Sequence, residues 1–206
     1  MHMPSKIVCV GRNYLEHAKE LGNDVPSQPL LFLKPPSCVI GAWEAIVLPP
    51  QSQQVEYEGE IGVILGERLR HADEATAIGA IGGLVAVNDV TARDLQKTDG
   101  QWTRAKGFDT FCPMGPVFRG ALPPLDAIEV VTTVNGVERQ RGTSAQMAFS
   151  IAFLLSYISG IMTLEPGDLV ATGTPAGVGR LAPGDTVRVE LKGLSAVENV
   201  VRAPAA

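Results

Sequence analysis

Cysteine, aromatic side chains and clustered positive charge are all scarce in this sequence. Its 206 residues include only three cysteines, Cys9, Cys38 and Cys112, with no CxxC spacing among them. That count excludes a disulfide scaffold or a structural zinc site, and free thiols suit the reducing cytoplasm expected for this chain. Lys and Arg total 17 against 22 acidic residues, for a net charge of −5. They form no stripe, so no nucleic-acid partner is expected. No apolar run is long enough to span a bilayer, and no charged-then-apolar leader opens the chain. A membrane partner and a secretory route are therefore not expected. Met1-His2-Met3 has the look of a cloning remnant, and His2 carries no weight.

Glycine (22) and proline (15) are plentiful, while aromatics make up 5%. Many turns and few bulky rings point to a β-rich α+β fold with a few short helices. The length suits one domain across residues 1–206. Short apolar runs at Lys6–Val10, Leu30–Leu33, Ala45–Leu48, Val55–Leu65 and Gly83–Val87 read as strands. Ile128–Val134 and Val137–Arg141 flank Asn135-Gly136, which predicts a hairpin with a type I′ turn. Leu169–Ala171, Thr186–Leu191 and Ala196–Val201 close the pattern. Helices are expected from Asn13, as N-cap, to about Leu21, where Gly22-Asn23 stops it. Others are expected at Ala75–Ile78 and at Val90–Lys97 with Thr91 near its start. Ser150–Ile161, apolar nearly all round, predicts a buried helix.

The segment Val55-Glu56-Tyr57-Glu58-Gly59-Glu60 places three glutamates on one strand face. Such a row requires either a cation or a solvated edge. Asp89 follows an apolar strand and offers a third acid beside them, or a helix N-cap. An all-carboxylate site suits Mg²⁺ or Mn²⁺ better than Zn²⁺.

His17 and Glu20 are three apart and share a helix face, either as an acid–base pair or as a solvated surface. Arg93 and Gln96 have the same spacing and suit a carboxylate and a carbonyl, or an ordinary helix surface. Lys106 is uninformative by itself. Thr172–Gly179 is a glycine-rich loop without a P-loop ending. It reads as an anion-facing loop bearing the Thr174 hydroxyl, or as a tight turn.

Seven strings, taken together, resemble the fumarylacetoacetate hydrolase family in its short, single-domain form. They are GRNYLEHAKELG (11–22), LFLKPPS (31–37), VEYEGEIGVILG (55–66), NDVTARDLQ (88–96), WTRAKGFDTFCPMGP (102–116), VNGVERQ (134–140) and TGTPAGVG (172–179). The resemblance implies a mixed β-sandwich roll and a homodimer. It implies Glu58, Glu60 and Asp89 as ligands of Mg²⁺, with Mn²⁺ able to substitute. It implies His17 and Glu20 as a water-activating pair on a lid segment, with Lys106 as a further catalytic group. Arg12, Tyr14, Arg93, Gln96 and Thr174 are implied around a small 2-oxo acid.

The implied reaction is hydrolysis of the carbon–carbon bond of a 2,4-dioxo acid such as fumarylpyruvate or acetylpyruvate. Relatives that decarboxylate oxaloacetate or tautomerise and isomerise 2-oxo dioic acids supply the alternative. A non-catalytic binding protein is the alternative of another class, and it would have lost one of the acids. The stretch Lys97–Gln101 is short beside several relatives, which leaves the acyl group open. The larger N-terminal domain of the long members is not in this sequence, so the tyrosine-degradation enzyme itself is not expected.

Overall fold

The computed structural model describes residues 3–20 and 26–204, apart from the side chains of residues 17–19. Two five-stranded mixed sheets form the framework. The first runs in the order Leu30–Lys34, Ile7–Gly11, Leu169–Ala171, Gly59–Leu65, Ile81–Asn88. Ile7–Gly11 and Leu169–Ala171 are parallel, and the other neighbours are antiparallel. The second runs Val137–Thr143, Glu129–Val134, Thr186–Leu191, Ser195–Arg202, Ala45–Val47, with only the last pair parallel.

Strand Ile81–Asn88 is covered on both faces. Leu84 and Ala86 join Ile61, Val63, Val130 and Val189 in one core, while Val85 and Val87 join Cys9, Phe111 and Val187 in another. Burial on both sides explains why the strand reads as an unbroken apolar run without alternation. The three cysteines are buried and free. The hairpin turns at Asn135 (φ 53°) and Gly136 (φ 75°), the two left-handed positions of a type I′ turn. Among the described residues, no helix is long and apolar enough to cross a membrane.

Four expectations need correction. The run from Val55 to Leu65 is not one strand. It breaks at Glu58, so that Val55–Tyr57 joins a small sheet with Thr91–Ala92 and Gly179–Arg180, while Gly59–Leu65 enters the large one. Thr91 accordingly sits in a strand, and the helix is Arg93–Thr98. Among the described residues, the Asn13 side chain makes no capping bond to the helix Leu15–Glu20. Its amide instead donates to Phe149 O and Thr172 O, and it accepts from Phe149 N, which locks three segments together. The expected stop at Gly22-Asn23 lies outside the described residues.

Helix Ile151–Ile161 is the fourth correction. Ser150 caps it by accepting from Phe153 N at 3.1 Å. Only one stripe is buried, through Ile151, Leu154, Leu155 and Ile158, while Phe153 and Ile161 face outward. A helix lying on one side of a layer covers the core with one face only. Outside, Phe153 stacks between Phe149 and Tyr157.

Candidate metal centre and active site

The break at Glu58 shapes the site. Gly59 is registered opposite Asn88, so the start of one long strand meets the end of the next. Asn88 Oδ1 accepts from Glu58 N, and Asp89 N donates to Glu58 O at 2.8 Å. Carboxylate oxygens from Glu58, Glu60 and Asp89 then lie within 4.8 Å of one another. All three side chains are buried, at 5%, 2% and 1% exposure, which excludes the solvated-edge reading. Asp89 is no helix cap either, because strand residues Thr91–Ala92 intervene.

Glu56 is buried as well but turns elsewhere. It accepts from Arg93 Nε at 2.8 Å and from Gln54 Nε2 at 2.6 Å. The same guanidinium donates to Glu58 through Nη2 and to Gln96 Oε1 through Nη1. Lys106 Nζ bridges Glu58 Oε2 (2.8 Å) and Asp89 Oδ2 (2.6 Å), and lies 4.9 Å from the centre of the Phe32 ring. Lys34 Nζ holds the other oxygen of Asp89, Oδ1, at 2.6 Å.

Burial opposes the charge on Lys34, Lys106 and Arg93. The carboxylates outweigh that penalty and hold all three basic groups above their ordinary range. Glu60 differs. Its partner is Gly173 N at 2.9 Å, and among the described residues no Lys or Arg forms a salt bridge with it. Burial first, then Asp89 and Glu58, push its carboxyl well above the ordinary range.

Three carboxylates (Glu56, Glu58, Asp89) are thus held by the three basic groups (Lys34, Arg93, Lys106), while Glu60 has no salt bridge among the described residues. A buried cluster of convergent carboxylate oxygens, one of them on a carboxyl held by no basic side chain among the described residues, fits a hard divalent cation.

The glycine-rich loop does face anions, but they are the protein's own. Gly173 N–H serves Glu60, and Gly177 N–H serves the Glu20 carboxylate at 3.1 and 3.2 Å. Gly173 has φ 101°, and a Cβ there would come within 2.8 Å of Asn13 Cβ, so this turn requires glycine. Thr174 Oγ1 donates to Gly59 O and accepts from Gln140 Nε2.

The three acids open into a cleft of about 60 Å³, also lined by Arg12, Phe32, Arg93, Gln96, Trp102, Lys106 and Thr174. Arg12, at its rim, adopts a left-handed backbone (φ 58°). Of the expected residues, Tyr14 and Glu20 do not line this cleft. Tyr14 lines a separate small cavity with Arg141, Gln146 and Pro175, its hydroxyl buried without a hydrogen-bond partner among the described residues. Burial, and then Glu60, raise the Tyr14 phenol above its ordinary range. His17 lies in the helix Leu15–Glu20, but its side chain is outside the described residues.

Sequence reasoning did not single out Lys34, Phe32 or Trp102. Lys34 is the one buried residue of its strand, and only its pairing opposite Ile7 reveals that. No local pattern marks it.

The sequence profile of the family described as fumarylacetoacetate (FAA) hydrolase C-terminal matches residues 6–202. Oxaloacetate tautomerase FAHD1, mitochondrial, of Arabidopsis thaliana is 43% identical over 94% of this chain and 89% of its own length. The crystal structure of 5-carboxymethyl-2-hydroxymuconate delta-isomerase from Mycobacterium smegmatis superposes with a TM-score of 0.91 at 41% identity, over 99% of this chain and 81% of that one. Fumarylpyruvate hydrolase from Pseudomonas aeruginosa, solved with Mn²⁺ and pyruvate, gives 0.91 at 30% identity, over 98% of this chain and 91% of that one. Site geometry, profile and superposition agree that this chain belongs to the fumarylacetoacetate hydrolase family.

Proposed function

We propose that this protein is a divalent-metal-dependent enzyme that cleaves the carbon–carbon bond of a short 2,4-dioxo acid, releasing pyruvate and a carboxylic acid. The observation that carries the reading is the buried triad Glu58–Glu60–Asp89, whose carboxylate oxygens converge within 4.8 Å. Mg²⁺ is the proposed metal, with Mn²⁺ as a substitute. Once bound, the ion supplies Lewis-acid stabilisation to negative charge developing on the 2-oxo oxygen.

The chain's own groups do the rest. Lys106 and Lys34 fix both oxygens of Asp89, and Lys106 with Arg93 fixes Glu58, so the donors are oriented in advance. Lys106 also brings a positive charge to the cleft wall, where an enolate oxygen would form. Arg12 and Gln96 are proposed to bind the substrate carboxylate and carbonyl, with Arg93 and Thr174 shaping the wall beside them. His17 and Glu20 are proposed to take a proton from water. The water oxygen adds to the distal carbonyl carbon. The bond between that carbon and the pyruvyl methylene then breaks, and its electron pair passes into pyruvate enolate, which is protonated at carbon. Glu20 rests on Gly177 N–H, so this step requires helix Leu15–Glu20 to bring the pair toward the cleft.

A second reading keeps the site and changes the reaction to tautomerisation or decarboxylation of oxaloacetate. It is favoured by the size of the cleft, which suits a small acid, and by the likeness to an oxaloacetate tautomerase. A homodimer belongs to both readings, and the outward Phe153 and Ile161 give apolar surface for it. Sedimentation tests that assembly.

The deciding experiment uses Glu60→Gln beside the wild type, with acetylpyruvate and oxaloacetate as substrates and metal removed and restored. Pyruvate from acetylpyruvate that depends on Mg²⁺ and disappears in the variant supports the hydrolase. Activity on oxaloacetate alone moves the assignment to the second reading. Mn²⁺ affinity, measured by calorimetry, should fall at least tenfold in the variant, about 1.4 kcal/mol. An unchanged affinity would falsify the metal centre.

A further inference from the structure

The cleft over the three acids is small, and a larger groove lies directly behind one of its walls. That groove encloses about 580 Å³ and is lined mainly by apolar atoms of Leu31, Leu33, Pro35 and Pro36. Phe32 and Trp102 line both spaces. Their rings meet edge to face, with centroids 5.2 Å apart and planes at 71°. Together they form a partition between cleft and groove.

Trp102 is braced from the far side. A Cβ at Gly11 would lie 2.9 Å from Trp102 Cζ3 and 3.4 Å from Leu30 Cδ2, so the indole edge rests on the bare backbone of Gly11. Phe32 is held in turn over the Lys106 ammonium. With the partition in place, the cleft offers about 60 Å³ beside the acids, against about 580 Å³ in the groove. The carboxylate and oxo group of a pyruvyl head would sit beside the acids, with the distal group left to find room along the walls. A distal chain that extends toward this partition meets the indole.

We infer that Trp102, braced by Gly11 and Phe32, sets the length limit of the distal group and confines this site to short 2-oxo acids. The inference rests on reading the cleft as a 2-oxo acid site. It accounts for a site that would take acetylpyruvate or oxaloacetate while excluding longer acyl chains. Removing the indole would join the cleft to the apolar groove and convert exclusion into attraction. A methylene placed in an apolar pocket is worth about tenfold or more.

The test measures binding of pyruvate, 2-oxobutanoate, 2-oxohexanoate and 2-oxooctanoate to the Mn²⁺-loaded protein by calorimetry. In the wild type, affinity should hold for 2-oxobutanoate and fall for 2-oxohexanoate and 2-oxooctanoate. In Trp102→Ala, the ratio of 2-oxooctanoate to pyruvate affinity should rise at least tenfold over the wild-type ratio. Trp102→Leu, which leaves part of the partition standing, should give an intermediate ratio and serves alone where the alanine variant loses its cooperative urea transition. Pyruvate binding with the same length profile in wild type and variants overturns the role of Trp102. Absence of pyruvate binding to the Mn²⁺-loaded wild type overturns the 2-oxo acid reading and this inference with it.

Discussion

Lys34 Nζ donates to Asp89 Oδ1 across 2.6 Å, and both side chains are shut off from solvent. The pair is one half of a clamp, since Lys106 holds the other oxygen of the same carboxylate. Breaking a buried pair from one side leaves an uncompensated charge, at a cost of roughly 3–5 kcal/mol. Lys34→Met should therefore lower the unfolding free energy by about that amount in metal-free protein, as read by urea denaturation. The loss should shrink when Mg²⁺ is added, because a second cation then neutralises Asp89. A deficit unaffected by Mg²⁺ would argue that Asp89 does not contact the metal.

Gly59 and Thr132 make a second close relationship, where the strand that starts the metal site crosses the opposite sheet. A Cβ at Gly59 would lie 2.0 Å from Thr132 Oγ1 and 3.2 Å from Val189 Cγ1. Thr132 Oγ1 is itself buried without a hydrogen-bond partner among the described residues. Gly59→Ala should destabilise by about 2–3 kcal/mol through overpacking. Thr132→Ala alone should change little, because it removes an unsatisfied hydroxyl along with the lost packing. The double variant should recover part of the loss. Thermal melts of the four proteins form a cycle, and strict additivity would mean the two residues do not meet.

Much of this arrangement is legible in the sequence. The strands at Ile7–Gly11, Glu129–Val134 and Thr186–Leu191 declare themselves through apolar runs, and the hairpin through Asn135-Gly136. Alternation around Glu58 and Glu60 places two acids near one another, and the structure brings Asp89 to them. What stays hidden depends on pairing between distant segments. Nothing local separates Glu56 from its two neighbours. Its fate is decided by Arg93, 37 positions away. Lys34 is buried because of a register with Ile7, and Glu20 is drawn to a loop 157 positions on. The break at Glu58 escapes period counting because both halves remain extended, while their partners belong to different sheets.

Asp168 offers a pH-dependent test away from the metal site. Its side chain is fully buried and accepts from Ser5 Oγ (2.6 Å), Lys6 N (3.1 Å), Glu165 N (2.8 Å) and Lys6 Nζ. Burial works against the charge, yet the Lys6, Ser5 and backbone donors prevail and hold the carboxyl below its ordinary range. A depressed folded value means that the unfolded chain takes up a proton first as pH falls. The stabilisation is therefore complete above the unfolded value near 3.9 and is lost as pH drops through the lower folded value. Asp168→Asn should cost roughly 1–3 kcal/mol at neutral pH, since charge-assisted hydrogen bonds become ordinary ones or are left unmade. Urea denaturation of wild type and variant should give a constant gap from pH 8 to about 5, narrowing below about 4.5. A gap that stayed constant into that acid range would place the effect in packing and not in charge, and the network around Ser5 and Lys6 would then matter for its shape alone.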